Sequence, residues 1–322
     1  MNTGNVCGSV TVAATMRAMT YSEYGSPDTL HLTEQPTPKL GPGAVLIAVE
    51  RAAVNPVDWK LMAGGLDGML DAVFPVIPGW DVSGVVEAVG PDVPEFSPGD
   101  RVASYARKDV VHGGTYAQYV AVPAASVARV PEGVSVDAAA GLPLVGLTAL
   151  RSLEMLNLSG DDTLLIHGAS GGVGHVAAQL AAAGGARVLG TASERNHEKL
   201  RALGVEPLRY GDGLEERVRD LAPTGVTAVA DFAGGVLEQT LAVLADDGRH
   251  VSIADPAVEE HDGRWVWVRP DGQRLGQLLT KVADGTLSVE IDRHFPLEQA
   301  AEAMRHNQSG DGSGKIIIDV TE

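Results

Sequence analysis

A single cysteine, Cys7, stands in a chain of 322 residues, which excludes disulfide frameworks, thiolate zinc clusters and iron–sulfur ligation. A reducing, cytoplasmic setting fits that usage. Aromatic residues are scarce at 4%, and no run of about 18 uncharged apolar residues occurs, so a membrane-spanning helix lacks support. Basic residues are few: Lys+Arg total 24 against 42 for Asp+Glu, a formal net charge of -18. Such a surface repels nucleic acid and anionic lipid, so any bound phosphate needs a local exception. The first 16 residues hold no Lys or Arg and do not read as a secretion leader. They read as a loose extension, with Met16 open as an alternative start. What is present is ordinary globular material, 44% hydrophobic and 20% charged, enough for about two domains.

From residue 17 to about 130 the chain consists of short apolar runs punctuated by Gly, Pro and Asp: VLIAVERAAV (45–54), VSGVVEAVG (82–90), RVASY (101–105) and TYAQYVAV (115–122). That rhythm predicts a barrel-like β region. Pro98–Asp100 and the Gly113–Gly114 pair sit where a tight bend or a positive φ is expected. From about residue 136 the texture becomes α/β. TLLIHG (163–168), ARVLGTA (186–192), VTAVADFAGG (226–235) and GRHVSIAD (248–255) are expected parallel strands. HVAAQLAAAGG between the first two has the apolar spacing of a helix, stopped by Gly184–Gly185. Beyond WVWV (265–268) and a helix-like QRLGQLLTKVADG, the last segments predict one more helix and strand.

TLLIHGASGGVGHVAAQLA sets Gly168, Gly171, Gly172 and Gly174 between a strand and a helix, the context a dinucleotide fingerprint requires. Gly168 is expected to make the sharp strand exit and Gly174 to permit close packing. Ser170, Gly171, Gly172 and Val173 would face a diphosphate at the positive end of the helix. No Lys-Ser or Lys-Thr follows the glycines, which disfavours a nucleoside-triphosphate loop. The second strand ends in Thr191-Ala192-Ser193, followed by Glu194-Arg195-Asn196. A small hydroxyl with an arginine beside it suits a 2′-phosphate, so Ser193 and Arg195 favour NADPH over NADH, with Glu194 pulling the other way. The alternative is that Arg195 and Asn196 merely start a solvated helix. Ser252 lies near the carboxyl end of a later strand, where open α/β sheets place ligands.

Taken in order, AAVNPVDWK (52–60), PGWDVSGVVEAVG (78–90), FSPGDRV (96–102), GGTYAQY (113–119), PLVGLTAL (143–150) and HGASGGVG (167–174) form a pattern. By it the chain resembles the medium-chain dehydrogenase/reductase superfamily, and most closely its zinc-independent NADPH:quinone oxidoreductase (zeta-crystallin-like) branch. The resemblance implies a mixed α/β protein: a GroES-like β-barrel domain from residues 1–143 and 290–322, with a Rossmann domain of residues 144–289 inserted. Zinc-dependent relatives carry a Cys where Asn55 stands and a His-Glu pair where Trp80-Asp81 stand, so no metal site is expected. His112, His167, His175 and His197 read as satisfied or solvated rather than as ligands.

The same resemblance implies hydride transfer from NADPH to a quinone, with reduction of an enone or enal double bond, or cofactor binding without turnover, as alternatives. It places Asn55 and Thr148 beside the nicotinamide to orient ring or acceptor, and Tyr210 and Lys315 near the cofactor. For Tyr210 a half-buried strand end, and for Lys315 a surface lysine, are the plainer readings. Asp58 and Lys60 either share that role or form a surface ion pair. Trp59, Trp80 and Tyr105 either wall the acceptor site or pack in the core. RWVWVR reads as an exposed edge strand, through which the resemblance implies a homodimer.

Overall fold

The computed structural model describes residues 13–321; Cys7 and most of the N-terminal extension lie outside them. The first half is built from strands β1 (Thr15–Thr20), β2 (His31–Pro36) and β3 (Ala44–Val54), then helix α1 (Pro56–Met62) and strand β4 (Asp71–Ile77). Strands β5 (Asp81–Val89), β6 (Arg101–Tyr105), β7 (Val110–Gly113), β8 (Tyr119–Pro123) and β9 (Val127–Arg129) follow. Buried Val45, Ile47, Val49 and Ala52 make the long β3 the spine of the sheet. It pairs antiparallel with β5 and β8.

Two of the expected bends resolve differently. Gly99 does adopt a positive φ of 93°, as a turn demands. Gly113 and Gly114 do not; a Cβ on Gly114 would lie 2.3 Å from the carbonyl oxygen of Pro78, so close backbone approach is what requires glycine there. Only the end of TYAQYVAV is strand, because Thr115 and Tyr116 donate their N–H groups to Gly79 and Pro78 in a crossing segment.

Helices α2 (Val136–Gly141) and α3 (Pro143–Met155) lead into the α/β unit. It comprises β10 (Thr163–His167), α4 (Gly172–Ala183), β11 (Arg187–Ala192), α5 (His197–Ala202), β12 (Glu206–Arg209), α6 (Leu214–Leu221), β13 (Val226–Asp231) and α7 (Leu237–Val243). Then come β14 (Leu244–Ser252), β15 (Arg264–Trp265) and α8 (Gly272–Ala283). The strands form one parallel sheet in the order β12-β11-β10-β13-β14-β15, a doubly wound arrangement. β15 is its edge, as expected for RWVWVR, but only two residues of that stretch pair; Val266 is buried beneath and Trp265 and Trp267 lean on each other at 5.8 Å.

The chain then returns to the first sheet through β16 (Ile291–Pro296), α9 (Ala300–Ser309) and β17 (Lys315–Asp319). β17 pairs antiparallel with the end of β3, setting Ile316 opposite Val54. One contiguous apolar core runs from Met19 and Val45 through Val145 and Leu147 of α3 to Leu164 and Ile166 of the parallel sheet. The two sheets thereby share their packing on α3.

Candidate active site

The α/β side of the cleft is made by the glycine loop. Gly168 leaves β10 with a φ of 73°, and its N–H donates to Thr191 Oγ1 on the neighbouring strand at 3.0 Å. Gly171 N–H turns back to the Gly168 carbonyl, so that donor is spent on the loop. Gly172 and Val173 are the first helical residues of α4, where N–H groups lack intrahelical partners and favour an anion. A Cβ on Gly174 would stand 2.2 Å from the Gly168 carbonyl oxygen, which explains glycine there by backbone contact. Ser170, Gly171, Gly172, His175, Val145 and Lys315 line a recess of about 250 Å³ at this helix start.

At the far end of the loop, Asn196 is buried and its Nδ2 donates to both Ser170 Oγ (3.2 Å) and Ser193 Oγ (3.3 Å). Asn196 therefore ties the glycine loop to the end of β11, and the reading of it as part of a solvated helix start is corrected. Arg195 is exposed, with its guanidinium near the Asp311 carbonyl. Tyr210 is 60% exposed, not half-buried. Arg209, which sequence reasoning missed, lies opposite Ala192 in the β11–β12 register and turns toward Glu194 at 3.8 Å. Its signal was hidden because EPLR carries too little apolar alternation to announce β12. Ser252 is fully buried: its Oγ donates to Asp231 Oδ2 (2.7 Å) and accepts from Ala254 and Asp255 N–H, so its hydroxyl shapes the turn and does not face the recess.

The barrel side is a buried polar cluster. Asn55 precedes α1 and is 1% exposed. Its backbone N–H donates to Asp58 Oδ2 at 2.8 Å, its Nδ2 donates to Asp81 Oδ2 at 2.9 Å, and its Oδ1 accepts from Lys315 Nζ at 2.6 Å. Lys315 Nζ also donates to the Val54 carbonyl at 3.1 Å and lies 3.5 Å from Asp81 Oδ2. Lys315 is thus a buried cation and not a surface lysine; its stem lines the recess while its charge is spent on the cluster. Burial pushes Asp81 up and Lys315 down from their ordinary values, and each pulls the other back.

Asp58 is buried rather than on the surface, and Lys60 does not pair with it: Lys60 is exposed and sits 5.6 Å over the Trp59 ring. Desolvation pushes the Asp58 carboxyl up to about 7, against the hydrogen bonds from Asn55 N–H and Tyr116. Thr148 lies on α3 one turn beyond Leu144, buried, its hydroxyl without a hydrogen-bond partner. Trp80 and Tyr105 pack edge to face at 6.0 Å, and Trp59 donates to Asn307 Oδ1 at 2.9 Å. Of the three, Trp80 also lines a second recess of about 330 Å³, with Asp58, Leu61 and Lys108.

Among the described residues no group of three or more His, Cys, Asp or Glu is placed to hold a metal ion. His112, His167 and His197 each reach a neighbouring oxygen instead. The donors at the cleft floor do not fit zinc: a carboxamide and a carboxylate face an ammonium, which already supplies the positive charge. Also among the described residues, no helix is long and apolar enough to cross a membrane.

A barrel and a parallel sheet meeting over a glycine loop define a two-domain, dinucleotide-type oxidoreductase. Residues 41–132 match the family described as Alcohol dehydrogenase GroES-like domain, and residues 208–318 match Zinc-binding dehydrogenase. The NADPH-dependent alkenal/one oxidoreductase of Arabidopsis thaliana chloroplasts is 32% identical over 323 residues, covering 98% of this chain and 82% of that protein. The quinone oxidoreductase structure from Coxiella burnetii is 33% identical with a TM-score of 0.84, covering 95% of this chain and 100% of that one. A mycobacterial protein solved in complex with NADPH is 28% identical with a TM-score of 0.83 over 95% of this chain and 100% of that one. The chain belongs to the medium-chain dehydrogenase/reductase superfamily of oxidoreductases, alongside members named quinone oxidoreductase and alkenal/one oxidoreductase.

Proposed function

We propose that the protein transfers a hydride from NADPH to a quinone or a similarly conjugated carbonyl acceptor, without a metal ion, in the cleft between a barrel domain of residues 1–143 and 290–322 and a cofactor domain of residues 144–289. The observation that carries this reading is the recess in which Ser170, Gly171 and Gly172 face Lys315, at one meeting point of the two units. The first turn of α4 takes the diphosphate, while Ser193 with Arg195 and Arg209 takes the 2′-phosphate. Glu194 is turned toward Arg209, which offsets part of its charge and supports that reading. The bound cofactor supplies hydride from its nicotinamide ring, and the protein supplies geometry. Thr148, with its unpartnered hydroxyl, is suited to orient the ring or acceptor; Asn55 has both ends of its carboxamide engaged and acts by holding the cleft floor.

Reduction of an activated carbon–carbon double bond is the second reading, favoured by the name of the Arabidopsis relative. Both reactions deliver hydride to a conjugated carbonyl system. Following NADPH absorbance with benzoquinone and with 2-alkenals separates them: turnover of benzoquinone with inert alkenals supports the first, and the reverse pattern the second. Binding of NADPH with no acceptor reduced across a broad panel would leave a cofactor-binding protein. The same reading includes a cytoplasmic homodimer joined along the β15 edge, where Trp267 is exposed, with no nucleic-acid or membrane partner.

A further inference from the structure

Three chain segments distant in sequence converge on one carboxylate. Asp81, fully buried at the start of β5, accepts from the Leu144 N–H in the first turn of α3 at 2.8 Å through Oδ1. Through Oδ2 it accepts from Asn55 at the head of α1 and faces Lys315 at the head of β17. Donors and acceptors nearly balance: the three protons of Lys315 face Val54 O, Asn55 Oδ1 and Asp81 Oδ2. Both ions of the pair are engaged; the unpartnered oxygen of the cluster belongs to Asp58, beyond Asn55. Burying two ions carries a large desolvation penalty, and apolar residues of similar volume would hold a fold as well or better. What apolar residues do not supply is direction. The carboxamide of Asn55 is oriented by having an ammonium at one end and a carboxylate at the other, and α3, which carries Val145 into the recess and Thr148 one turn on, is anchored by the same group.

Resting on the function proposed above, we infer that Asp81 and Lys315 are positioning residues, which fix Asn55 and the first turn of α3 in one register so that the cofactor's nicotinamide end and the acceptor meet correctly. They act through Asn55 and α3 and touch neither reactant with their charges. Lys315 contributes to the cofactor recess by its methylene stem, which passes about a van der Waals contact from where a Gly172 Cβ would stand, at 3.5 Å.

The test compares wild type with Asp81→Asn, Lys315→Met and the double variant, reading melting temperature, NADPH dissociation constant, and kcat and KM for benzoquinone. Each single variant leaves one buried charge unpaired and is expected to lose stability. The double variant restores neutrality and keeps a stem at position 315, so it regains most of the melting temperature. It binds NADPH within about threefold of wild type but loses kcat by on the order of 100-fold, the scale set by misplacing reacting atoms by an ångström. A double variant with wild-type kcat overturns the inference, and so does a kcat loss matched by an equal loss of NADPH affinity, which would make Lys315 a cofactor ligand. Should the double variant not fold, Asp81→Glu is read the same way, since it keeps the charge and lengthens the reach: unchanged kcat overturns, lost kcat at retained affinity supports. A wild-type protein that neither binds nor oxidises NADPH defeats the proposed function instead, and is seen before any variant is made.

Discussion

Asp58 has a charge problem that its neighbours do not solve. One of its oxygens accepts two hydrogen bonds, the other is buried without a partner, and Asp81 stands nearby with the same sign. With a folded value of about 7, above the ordinary carboxylate range, it holds a proton in the folded protein at pH values where the unfolded chain has lost it. The stability it contributes is therefore full below the ordinary carboxylate value and disappears as pH rises through about 7. Urea melts at pH 5 and pH 8 should show wild type losing on the order of a few kcal/mol more than Asp58→Asn between the two. Equal losses would show that the carboxyl ionises freely. The sequence already showed the residue NPVD stretch as important, but not the burial of Asp58; an Asp two positions before a Lys on a short helix looks like a surface pair until the tertiary fold covers it.

Elements were legible where a local rule sufficed. The glycine loop was readable because a positive φ at Gly168 and backbone contact at Gly174 are demands only glycine meets. Helix α4 and strands β10, β11 and β13 followed from apolar period. β12 did not, since only Leu208 of its four residues is buried and the strand exists by pairing with β11. Likewise β14 begins in the polar LADDG, and β16 alternates weakly; both are imposed by neighbours. Missing β12 meant missing Arg209, and with it the second cation of the proposed 2′-phosphate site. Replacing Arg209 with Ser is expected to raise the NADPH dissociation constant by on the order of tenfold, the loss of one charge-assisted contact, while NADH binding changes little. Thermal-shift titration with both cofactors checks this, and an equal effect on the two would remove Arg209 from the phosphate site.

For the whole molecule the net charge of -18 opposes the approach of a cofactor that is itself an anion. Arginines at the proposed phosphate site would act at short range, while the wider surface repels the cofactor at a distance. At about 10 mM salt the screening length is roughly 30 Å, and at physiological strength about 8 Å. Stopped-flow association of NADPH should accordingly quicken as salt rises from the lower to the higher value, by about two- to tenfold, opposite to the slowing seen where a basic patch steers an anion. A rate that falls with salt would mean that the local cations govern the encounter from long range.

The buried lysine at the cleft floor heads the last strand of a sheet whose spine, β3, was laid down some 260 residues earlier. While the ribosome is still extending the chain, glycine loop and parallel strands are available to fold, but the carboxamide at position 55 waits without its ammonium. Assembly of a competent cleft for that reason waits until residue 315 has been made, and a nascent chain halted before that strand would have its glycine loop but no finished floor.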